Sequence, residues 1–331
     1  MSSKKCLVTG GAGFIGSHLV ERLLTDGHHV IVVDNMVAGT PNNLDAFKGD
    51  PRLQIQADDV SDSDAIKPLF EGIDWVFHLA AMADIVPSIE DPISYHRANV
   101  EGTITVLEHA RTYGIERFIY AASSSGYGMP DIFPTPESAP AQPMYPYALT
   151  KHIGEQYVMH WQALYGLPAI SLRMFNVFGP RHRSGGTYGA VFGVFMAQKL
   201  AGKPFTVVGD GEQTRDFTYV TDVADAFVTA AASDISGEIF NVGSGGTYSL
   251  NHLVELLDGE VEYIPKRPGE PDCTFADTSR IEEVLGWKAH VPFEEGVKTM
   301  LEHIEGWRGA PVWDGKNIAE ATADWFKYLG R

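Results

Sequence analysis

Along the first 175 residues, short apolar runs alternate with longer segments in which apolar residues recur every three or four positions. The short runs predict β-strands, and the longer spacing predicts amphipathic α-helices. The predicted strands are residues 5–9, 29–34, 53–56, 74–79, 117–122 and 168–173. The clearest predicted helices are residues 14–24, 92–113 and 146–165. Since strands and helices alternate, the pattern predicts an α/β protein with a Rossmann-type, doubly wound parallel sheet.

Beyond residue 175 the pattern is less regular. A loop at residues 179–186 and a turn at 208–211 are followed by short strands and helices. We therefore predict a Rossmann domain over residues 1–175 and a smaller C-terminal, substrate-binding lobe over residues 176–331 that is interleaved with it. The substrate is expected in the crevice between them, at the carboxyl ends of the strands.

The last segment, from Trp313 to Arg331, carries apolar residues at helical spacing. They are Ile318, Ala321, Trp325, Phe326 and Leu329. We predict an amphipathic tail helix that packs on the body of the protein or on a second subunit.

Composition and charge restrict the possible partners. The 331 residues are 44% hydrophobic and 21% charged, which is ordinary for a globular protein. The net charge of −18 argues against nucleic acid as a partner, because phosphate backbones need a basic surface. A phosphate-bearing substrate must then meet a local cluster of Arg and Lys.

Cys6 and Cys273 fit no metal spacing, so we predict no metal site. With no signal-peptide pattern and no apolar run of membrane-spanning length, we expect a cytoplasmic protein.

A glycine-rich turn joins the first predicted strand to the first predicted helix. Gly10, Gly13 and Gly16 in this turn allow the backbone to approach a pyrophosphate, which rests on the helix N-terminus. Asp34 ends the next strand, where a carboxylate accepts hydrogen bonds from ribose hydroxyls and repels the 2′-phosphate of NADP. No Arg or Lys follows within residues 35–40. The sequence therefore predicts NAD as the cofactor.

A tyrosine and a lysine downstream suggest proton transfer. Tyr147 and Lys151 are spaced i, i+4 at the start of a predicted helix, and residues 123–125, all serine, end a predicted strand. A free tyrosine, with a pKa of about 10, is a poor base at neutral pH. A nearby ammonium and the positive nicotinamide ring favour the phenolate and should lower that pKa. A serine hydroxyl can bond the same substrate oxygen and relay the proton.

Taken together, these motifs resemble the extended short-chain dehydrogenase/reductase family, and in particular its nucleotide-sugar epimerases and dehydratases. The resemblance covers nearly the whole chain. The segments that carry it are Thr9–Gly16, Asp59-Val60, Phe77–Ala81, Asn99 with Gly102-Thr103, Tyr147-x-x-x-Lys151, Arg173–Pro180, Gly209–Asp216, Asn241–Gly245 and Arg267–Glu270.

The resemblance implies a role for each matching residue. Tyr147 would be the catalytic base, Lys151 would hold the nicotinamide ribose and lower the tyrosine pKa, and Ser123 would be the catalytic hydroxyl. The implied NAD contacts are Gly10, Gly13, Phe14, Ile15, Gly16, Asp34, Asn35, Asp59, Val60, Leu79, Ala80, Ala81, Asn99, Tyr147 and Lys151. The implied contacts of the nucleotide sugar are Ser124, Ser125, Asn176, Val191, Thr206, Arg215, Arg267 and Glu270. The two arginines would supply the local positive charge that a diphosphate needs.

Family resemblance alone leaves epimerisation, dehydration and decarboxylation open, since all begin by oxidising C4 of the sugar. The 4,6-dehydratases carry a Thr-Asp-Glu triplet where this chain has serines at 123–125, so no carboxyl group is available for elimination. The simplest fate of the 4-keto sugar is then return of hydride to its other face. We expect an NAD-dependent 4-epimerase of UDP-hexoses that retains and recycles its NAD. UDP-N-acetylhexosamines are further candidates, because Thr274 is small at the position that limits the C2 substituent.

The sequence leaves other functions open. Asp84, the segment 189–195 and the positive charges of Arg181 and Arg183 depart from the usual hexose-epimerase pattern. They leave room for a 4-dehydrogenase, a 4,6-dehydratase or an epimerase at another carbon, acting on a GDP-, CDP- or dTDP-sugar. An alternative of another class is a non-catalytic NAD-binding scaffold or sensor. The family commonly dimerises through two helices, which the stretches 92–113 and 146–165 would supply, so a homodimer is expected.

Overall fold

The six apolar runs of the first half form strands where the sequence predicts them, in a computed structural model that describes residues 2–182 and 190–330. These strands are β1 (Lys5–Thr9), β2 (His29–Val33), β3 (Leu53–Gln56), β4 (Trp75–His78), β5 (Arg117–Ser123) and β6 (Ala169–Met174). The later strands are β7 (Val177–Phe178), β8 (Phe205–Val208), β9 (Thr214–Arg215), β10 (Thr218–Tyr219), β11 (Glu238–Val242), β12 (Tyr248–Ser249) and β13 (Val261–Ile264).

Helices alternate with the strands in the first half and surround the smaller lobe in the second. They are α1 (Phe14–Thr25), α2 (Ser63–Ile66), α3 (Ile85–Glu90), α4 (Pro92–His96), α5 (Gly102–Tyr113), α6 (Pro146–Tyr165), α7 (Val191–Leu200), α8 (Val220–Ala232), α9 (Leu250–Leu257), α10 (Ser279–Leu285), α11 (Phe293–Glu302), α12 (Gly315–Ala321) and α13 (Ala323–Leu329). The predicted helix 92–113 contains one widened π-helical turn, Arg97–Glu101, between α4 and α5. Among the described residues, none of these helices is both long enough and apolar enough to cross a membrane.

A seven-stranded parallel sheet with strand order β11-β6-β5-β4-β1-β2-β3 forms the centre of the protein. Buried residues of α1 and α8, such as Leu23 and Phe227, cover one face. Buried residues of α5 and α6, such as Leu107 and Val158, cover the other. The predicted doubly wound α/β fold is therefore confirmed.

One strand of the sheet comes from the second half of the chain. β11 pairs with β6 in parallel, from Glu238 opposite Ile170 to Val242 opposite Met174. A boundary at residue 175 assigns β11 and α8 to the substrate lobe, whereas the structure places both on the Rossmann sheet. The physical reason is burial, because Phe240 and Val242 are fully buried only when they extend the sheet.

The smaller lobe has its own apolar core, which is rich in aromatic rings. Phe178 stacks on Phe192 with ring centroids 4.6 Å apart, and Phe217 lies parallel to Phe293 at 5.1 Å. A short parallel pair, β8 with β13, borders this core. The carboxyl ends of β5 and β6 point toward the lobe, so the crevice between the two parts starts where β5 ends.

Two glycines of the β1–α1 turn cannot be replaced by any other residue unless the backbone moves. Gly10 has a φ of +71°, and a Cβ there would lie 2.8 Å from the amide nitrogen of Ala80. A Cβ at Gly16 would lie 2.1 Å from the carbonyl oxygen of Gly10. The loop is thus lined by bare backbone, as the approach of a pyrophosphate requires.

We expect Gly16→Ala to lose NAD, because the added methyl group pushes the Gly10 carbonyl and α1 apart. The NAD content of the purified variant should fall about tenfold or more. Gly306→Ala is the control, since a Cβ there meets nothing within 4 Å. Extraction of the nucleotide and its absorbance measure both, and a Gly16→Ala protein with wild-type NAD content would contradict the prediction.

Candidate active site

The end of β5 presents a chain of hydroxyl groups. Ser123 has extended backbone, and its Oγ accepts a hydrogen bond from the Ser125 amide at 3.2 Å, which starts a 3₁₀ turn at Ser124–Tyr127. The Oγ atoms of Ser123 and Ser125 are 2.8 Å apart. β5 and this cap therefore fix both hydroxyls at the rim of the sheet.

The first turn of α6 brings the tyrosine to the same place. Pro146 occupies the first helical position, where its missing N–H costs nothing, and Tyr147 follows it. Ser123 lies near the Tyr147 phenol, since its side chain lowers the pKa of that phenol. Lys151, one turn later, is buried, and its Nζ lies 4.4 Å from the centroid of the Tyr120 ring. The structure thus brings Ser123, Tyr147 and Lys151 together, in the arrangement that proton transfer from an alcohol requires.

Burial controls the pKa values of this set. It raises the pKa of Tyr147, and the negative charge of Asp84 raises it further, whereas the hydrogen bond from Ser123 lowers it. Burial also lowers the pKa of Lys151 to about 7, against the opposing charge of Glu155. The sequence led us to expect a tyrosine pKa lowered by the lysine. In the protein alone the loss of hydration raises the pKa and Lys151 is not among the groups that shift it, so a further positive charge is needed to favour the phenolate.

Asp34 is oriented by backbone amides. Its Oδ2 accepts a hydrogen bond from the Ala12 amide at 3.0 Å, and its Oδ1 accepts one from the Met36 amide at 2.9 Å. Burial raises the pKa of Asp34 while these amides lower it. The carboxylate therefore sits at the end of β2, held against the glycine turn that begins α1 at Phe14 and Ile15.

The neighbouring residues complete a site that fits a dinucleotide. Asn35 donates a hydrogen bond to Asp59 at 3.1 Å, and Val60 beside it is buried. Leu79, Ala80 and Ala81 follow β4, where the Ala80 amide donates to the Thr9 hydroxyl at 3.2 Å. The glycine cradle, the oriented carboxylate and Lys151 are residues that would hold NAD.

Asn99 has its side chain fully engaged within the protein. Its Oδ1 accepts from the Met82 amide at 2.8 Å, and its Nδ2 donates to the Met82 carbonyl and to the Thr150 hydroxyl, each at 3.0 Å. The π-helical turn points it inward for these contacts. Asn99 therefore fixes the loop after β4 against α6, and its expected contact with NAD stays a prediction.

Two arginines and a glutamate meet on the side of the smaller lobe. Glu270 accepts a hydrogen bond from Arg215 at 2.9 Å, and its other oxygen lies 3.7 Å from an Arg267 nitrogen. Arg215 and Glu270 line a cavity of about 340 Å³ together with the turn at residues 208–213 and with Lys266. Arg215 and Lys266 therefore give this cavity positive charge beside the carboxylates of Asp210, Glu212 and Asp272, and the Arg267 guanidinium lies next to Glu270.

The other residues that we expect to contact the nucleotide sugar lie on different elements and differ in their burial. Asn176 accepts a hydrogen bond from the Thr274 hydroxyl at 2.6 Å, at the end of β6. Val191 begins α7 and packs on the aromatic core. Thr206 is buried in β8, and its hydroxyl accepts from Gln198 at 2.9 Å. Val191 and Thr206 thus shape the lobe rather than join the arginine pair. Arg181 pairs with Glu21 at 2.5 Å; Arg183 lies outside the described residues.

Sequence spacing did not indicate Tyr145. Ser125 lies near its hydroxyl and lowers its pKa, and its ring lies nearly parallel to that of Tyr147, with centroids 6.4 Å apart. Tyr145 precedes α6 in extended backbone, so a helical-face argument does not reach it. The second tyrosine, two residues before Tyr147 and directly before the helix, was the available signal.

A buried ion pair links two of the elements that carry the candidate site. Arg173 donates to Glu155 at 2.6 Å and to the Tyr127 hydroxyl at 2.8 Å, and Tyr127 in turn donates to Asn241 at 2.7 Å. Glu155 lies on α6 and Arg173 on β6. The pair therefore ties the helix of Tyr147 to the sheet. Among the described residues, no cluster of side chains suits a metal ion.

Removing a proton from an alcohol beside a dinucleotide is the chemistry of enzymes that oxidise a hydroxyl-bearing carbon, and this site is built for it. The model of the NAD dependent epimerase/dehydratase family matches residues 6–243, and the chain belongs to that family. NAD as the cofactor, predicted from the glycine turn and Asp34, is confirmed by this membership.

Relatives of known name agree with this assignment. The chain is 38% identical over 306 residues to UDP-glucose 4-epimerase of Mycolicibacterium smegmatis, which covers 90% of this chain and 97% of the relative. The structure of the Thermotoga maritima UDP-glucose 4-epimerase with UDP-glucose has a TM-score of 0.85 at 35% identity, over 91% of this chain and 98% of that one. A Methanobrevibacter ruminantium UDP-N-acetylglucosamine 4-epimerase, in complex with UDP-N-acetylmuramic acid, has a TM-score of 0.87 at 34% identity, over 92% and 98%.

The pKa of Tyr147 predicts opposite effects of two substitutions. The base is active above its pKa, and activity is lost as the pH falls through it. Ser123→Ala removes a hydrogen bond that lowers the pKa, so the acid limb of kcat/KM should move to higher pH. Asp84→Asn removes a charge that raises it, so the limb should move to lower pH. Each shift should be about half a pH unit or more.

Profiles of kcat/KM against pH test both variants, because they report the free enzyme. Ser123→Ala should also lower kcat by about tenfold or more. Glu90→Gln is the control, since Glu90 is an exposed carboxylate at the end of the same helix that Asp84 precedes. Limbs that move in the same direction in both variants would show that Tyr147 is not the group that titrates.

Proposed function

We propose that this protein is an NAD-dependent nucleotide-sugar 4-epimerase that interconverts UDP-hexoses at C4. The observation that carries the proposal is the placement of Tyr147 near the Ser123 side chain, with buried Lys151 one helical turn later and with Arg215 and Arg267 on the smaller lobe. The tyrosine that deprotonates the sugar hydroxyl and the arginines that bind the diphosphate thus act on one substrate in the same crevice.

Each residue has a physical task in this reaction. Tyr147 removes the proton of the C4 hydroxyl while Ser123 bonds the same oxygen. Bound NAD supplies the hydride acceptor, and later the donor, at the sugar carbon. Lys151 holds the nicotinamide ribose from α6, and Arg215 and Arg267 hold the diphosphate. The 4-keto sugar rotates within the site and presents its other face to the cofactor. The hydride would return to that face, and the NAD would be recycled without release.

Elimination of water does not suit this site. Dehydration across C5 and C6 needs a positioned acid and base next to the sugar. The turn after β5 offers hydroxyl groups from Ser124 and Ser125 instead. Asp84 is the one carboxylate that shifts the pKa of Tyr147 among the described residues, and a single carboxylate does not supply both groups.

The choice of UDP rests on the relatives, whose names give UDP-glucose and UDP-N-acetylglucosamine as their sugars. N-acetylated sugars are included because Thr274 is small and its hydroxyl is turned toward Asn176 by a hydrogen bond of 2.6 Å. The methyl group of Thr274 then leaves room for a C2 substituent.

Product analysis tests the reaction. NMR of mixtures with UDP-glucose and UDP-N-acetylglucosamine should show their C4 epimers and no accumulating NADH. Tyr147→Phe should lower kcat by roughly 10²-fold or more. Tyr165→Phe, at the exposed end of the same helix, is the control and should leave kcat unchanged.

The same panel distinguishes the alternatives. UDP-glucuronic acid, GDP-glucose, CDP-glucose and dTDP-glucose are included, and each product identifies its own reaction. A wild-type protein that converts neither UDP-glucose nor UDP-N-acetylglucosamine to a C4 epimer would contradict the proposal. A protein that releases NADH with every turnover would indicate a dehydrogenase.

A homodimer in the cytoplasm is the proposed working form. Along α6, Leu149, Tyr157 and Leu164 leave apolar surface partly exposed at helical spacing, and α5 packs beside it. Two such helices from each subunit bury this surface in a symmetric interface. Cys6 and Cys273 are both free thiols, which fits a reducing compartment.

Sedimentation equilibrium tests the dimer. The wild-type protein should have twice the 36.2 kDa mass of one chain. Leu164→Glu should shift it to the monomer, because a charge in an apolar interface is left without a partner. Val284→Glu places the same charge on α10, at another partly exposed apolar position, and should not. A wild-type monomer at high micromolar concentration would refute the dimer.

A further inference from the structure

The C-terminal segment 313–330 crosses from one part of the protein to the other. At its start, Trp313 offers its carbonyl oxygen to Gln198 at 2.8 Å, and Ile318 of α12 is buried against Val208 and Ile264 of the smaller lobe. The segment turns at Thr322, and α13 then lies against α3, which follows Asp84. The tail is therefore attached to both sides of the crevice.

Trp325 is the central residue of α13. It is 6% exposed, and its Nε1 donates a hydrogen bond to the Pro268 carbonyl oxygen at 2.7 Å. The guanidinium carbon of Arg267 lies 5.6 Å from the centroid of the indole ring. The indole thus holds both the backbone and the side chain of the loop that carries Arg267.

The other side of the indole meets the catalytic side of the crevice. Trp325 and Tyr145 have ring centroids 6.3 Å apart. The ring of Tyr145 in turn lies nearly parallel to that of Tyr147, and Ser125 lies near the Tyr145 hydroxyl. A continuous set of contacts therefore runs from Arg267 through Trp325 and Tyr145 to the hydroxyl groups at the end of β5.

We propose that the tail is part of the nucleotide-sugar site and that Trp325 is a positioning residue, which orients Arg267 for the diphosphate. The inference rests on the proposed function, since it takes the diphosphate of a nucleotide sugar as the ligand of Arg267. An arginine has many rotamers in solution, and fixing its guanidinium before the ligand arrives removes that entropy cost from binding. The indole face and the Pro268 hydrogen bond supply this preorganisation.

A tail that only stabilised the fold would behave differently. Its loss would lower the melting temperature and the NAD content together, and it would not act through one arginine. A positioning role predicts weaker binding of the diphosphate while NAD remains bound, because Trp325 contacts Pro268, Arg267 and Tyr145, and none of these belongs to the glycine turn. The two roles can therefore be separated by measuring both ligands.

Calorimetric titration with UDP, together with KM and kcat for UDP-glucose, tests the inference. Trp325→Ala should raise the Kd for UDP and the KM about tenfold. Its kcat should stay within about threefold of the wild-type value, because the lost contact acts equally on bound substrate and transition state. NAD content should not change. Trp325→Phe keeps an aromatic face and should recover most of the affinity.

A double-mutant cycle identifies the residue through which Trp325 acts. Arg267→Ala should weaken UDP binding to a similar extent, and adding Trp325→Ala should then cost little more. Phe326→Ala changes the neighbouring, partly exposed ring and is the matched control.

Three results would overturn the inference: unchanged UDP affinity in Trp325→Ala, additive losses in the double variant, or loss of NAD together with UDP. The titration of the wild-type protein comes first. If that protein binds no UDP, the result contradicts the proposed function itself and not only the role of Trp325.

Discussion

Burial of the Lys151 ammonium beside the Tyr147 phenol is the constraint on which the rest of the site depends. An ammonium removed from water loses hydration, and its pKa falls to about 7 here. The ring face of Tyr120 at 4.4 Å gives back part of that loss. A dry, fixed lysine is costly for the fold, but it is also close enough to neutrality to respond to the charges of a bound cofactor and substrate.

The surroundings of this pair are correspondingly rigid. Glu155 lies one turn beyond Lys151 and is held by Arg173, so the negative charge that stabilises the ammonium cannot approach it more closely. His78 is buried between the hydroxyls of Thr9 and Thr103, and burial lowers its pKa to about 3. It therefore stays neutral and adds no positive charge near Lys151. The polar groups under the site are thus paired among themselves, which leaves the phenol and the ammonium to the ligands.

Much of this could be predicted from local sequence. The strands and helices of the first half follow apolar periodicity, and Tyr147 and Lys151 share a face because they are four residues apart in one helix. β11 could not be placed in this way, since its partner β6 lies more than sixty residues earlier and pairing is a non-local contact. The same limit applies to the ion pairs of Glu270 and to Tyr145, whose positions depend on where separate elements meet. The direction of the tyrosine pKa shift depends on burial, which spacing does not give.

The arginine side of the crevice poses a problem that the tail addresses. An acidic protein must keep two arginines available for a diphosphate, and here the one carboxylate of Glu270 contacts both. A carboxylate partner alone would draw Arg267 toward itself and away from the ligand. The guanidinium carbon of Arg267 lies 5.6 Å from the centroid of the Trp325 ring, so a cation–π contact adds to the ion pair with Glu270. Two contacts from different elements therefore fix this one side chain. The tail contacts the loop of Arg267 and the ring of Tyr145, so it bears on the side of the crevice where we propose that the substrate binds.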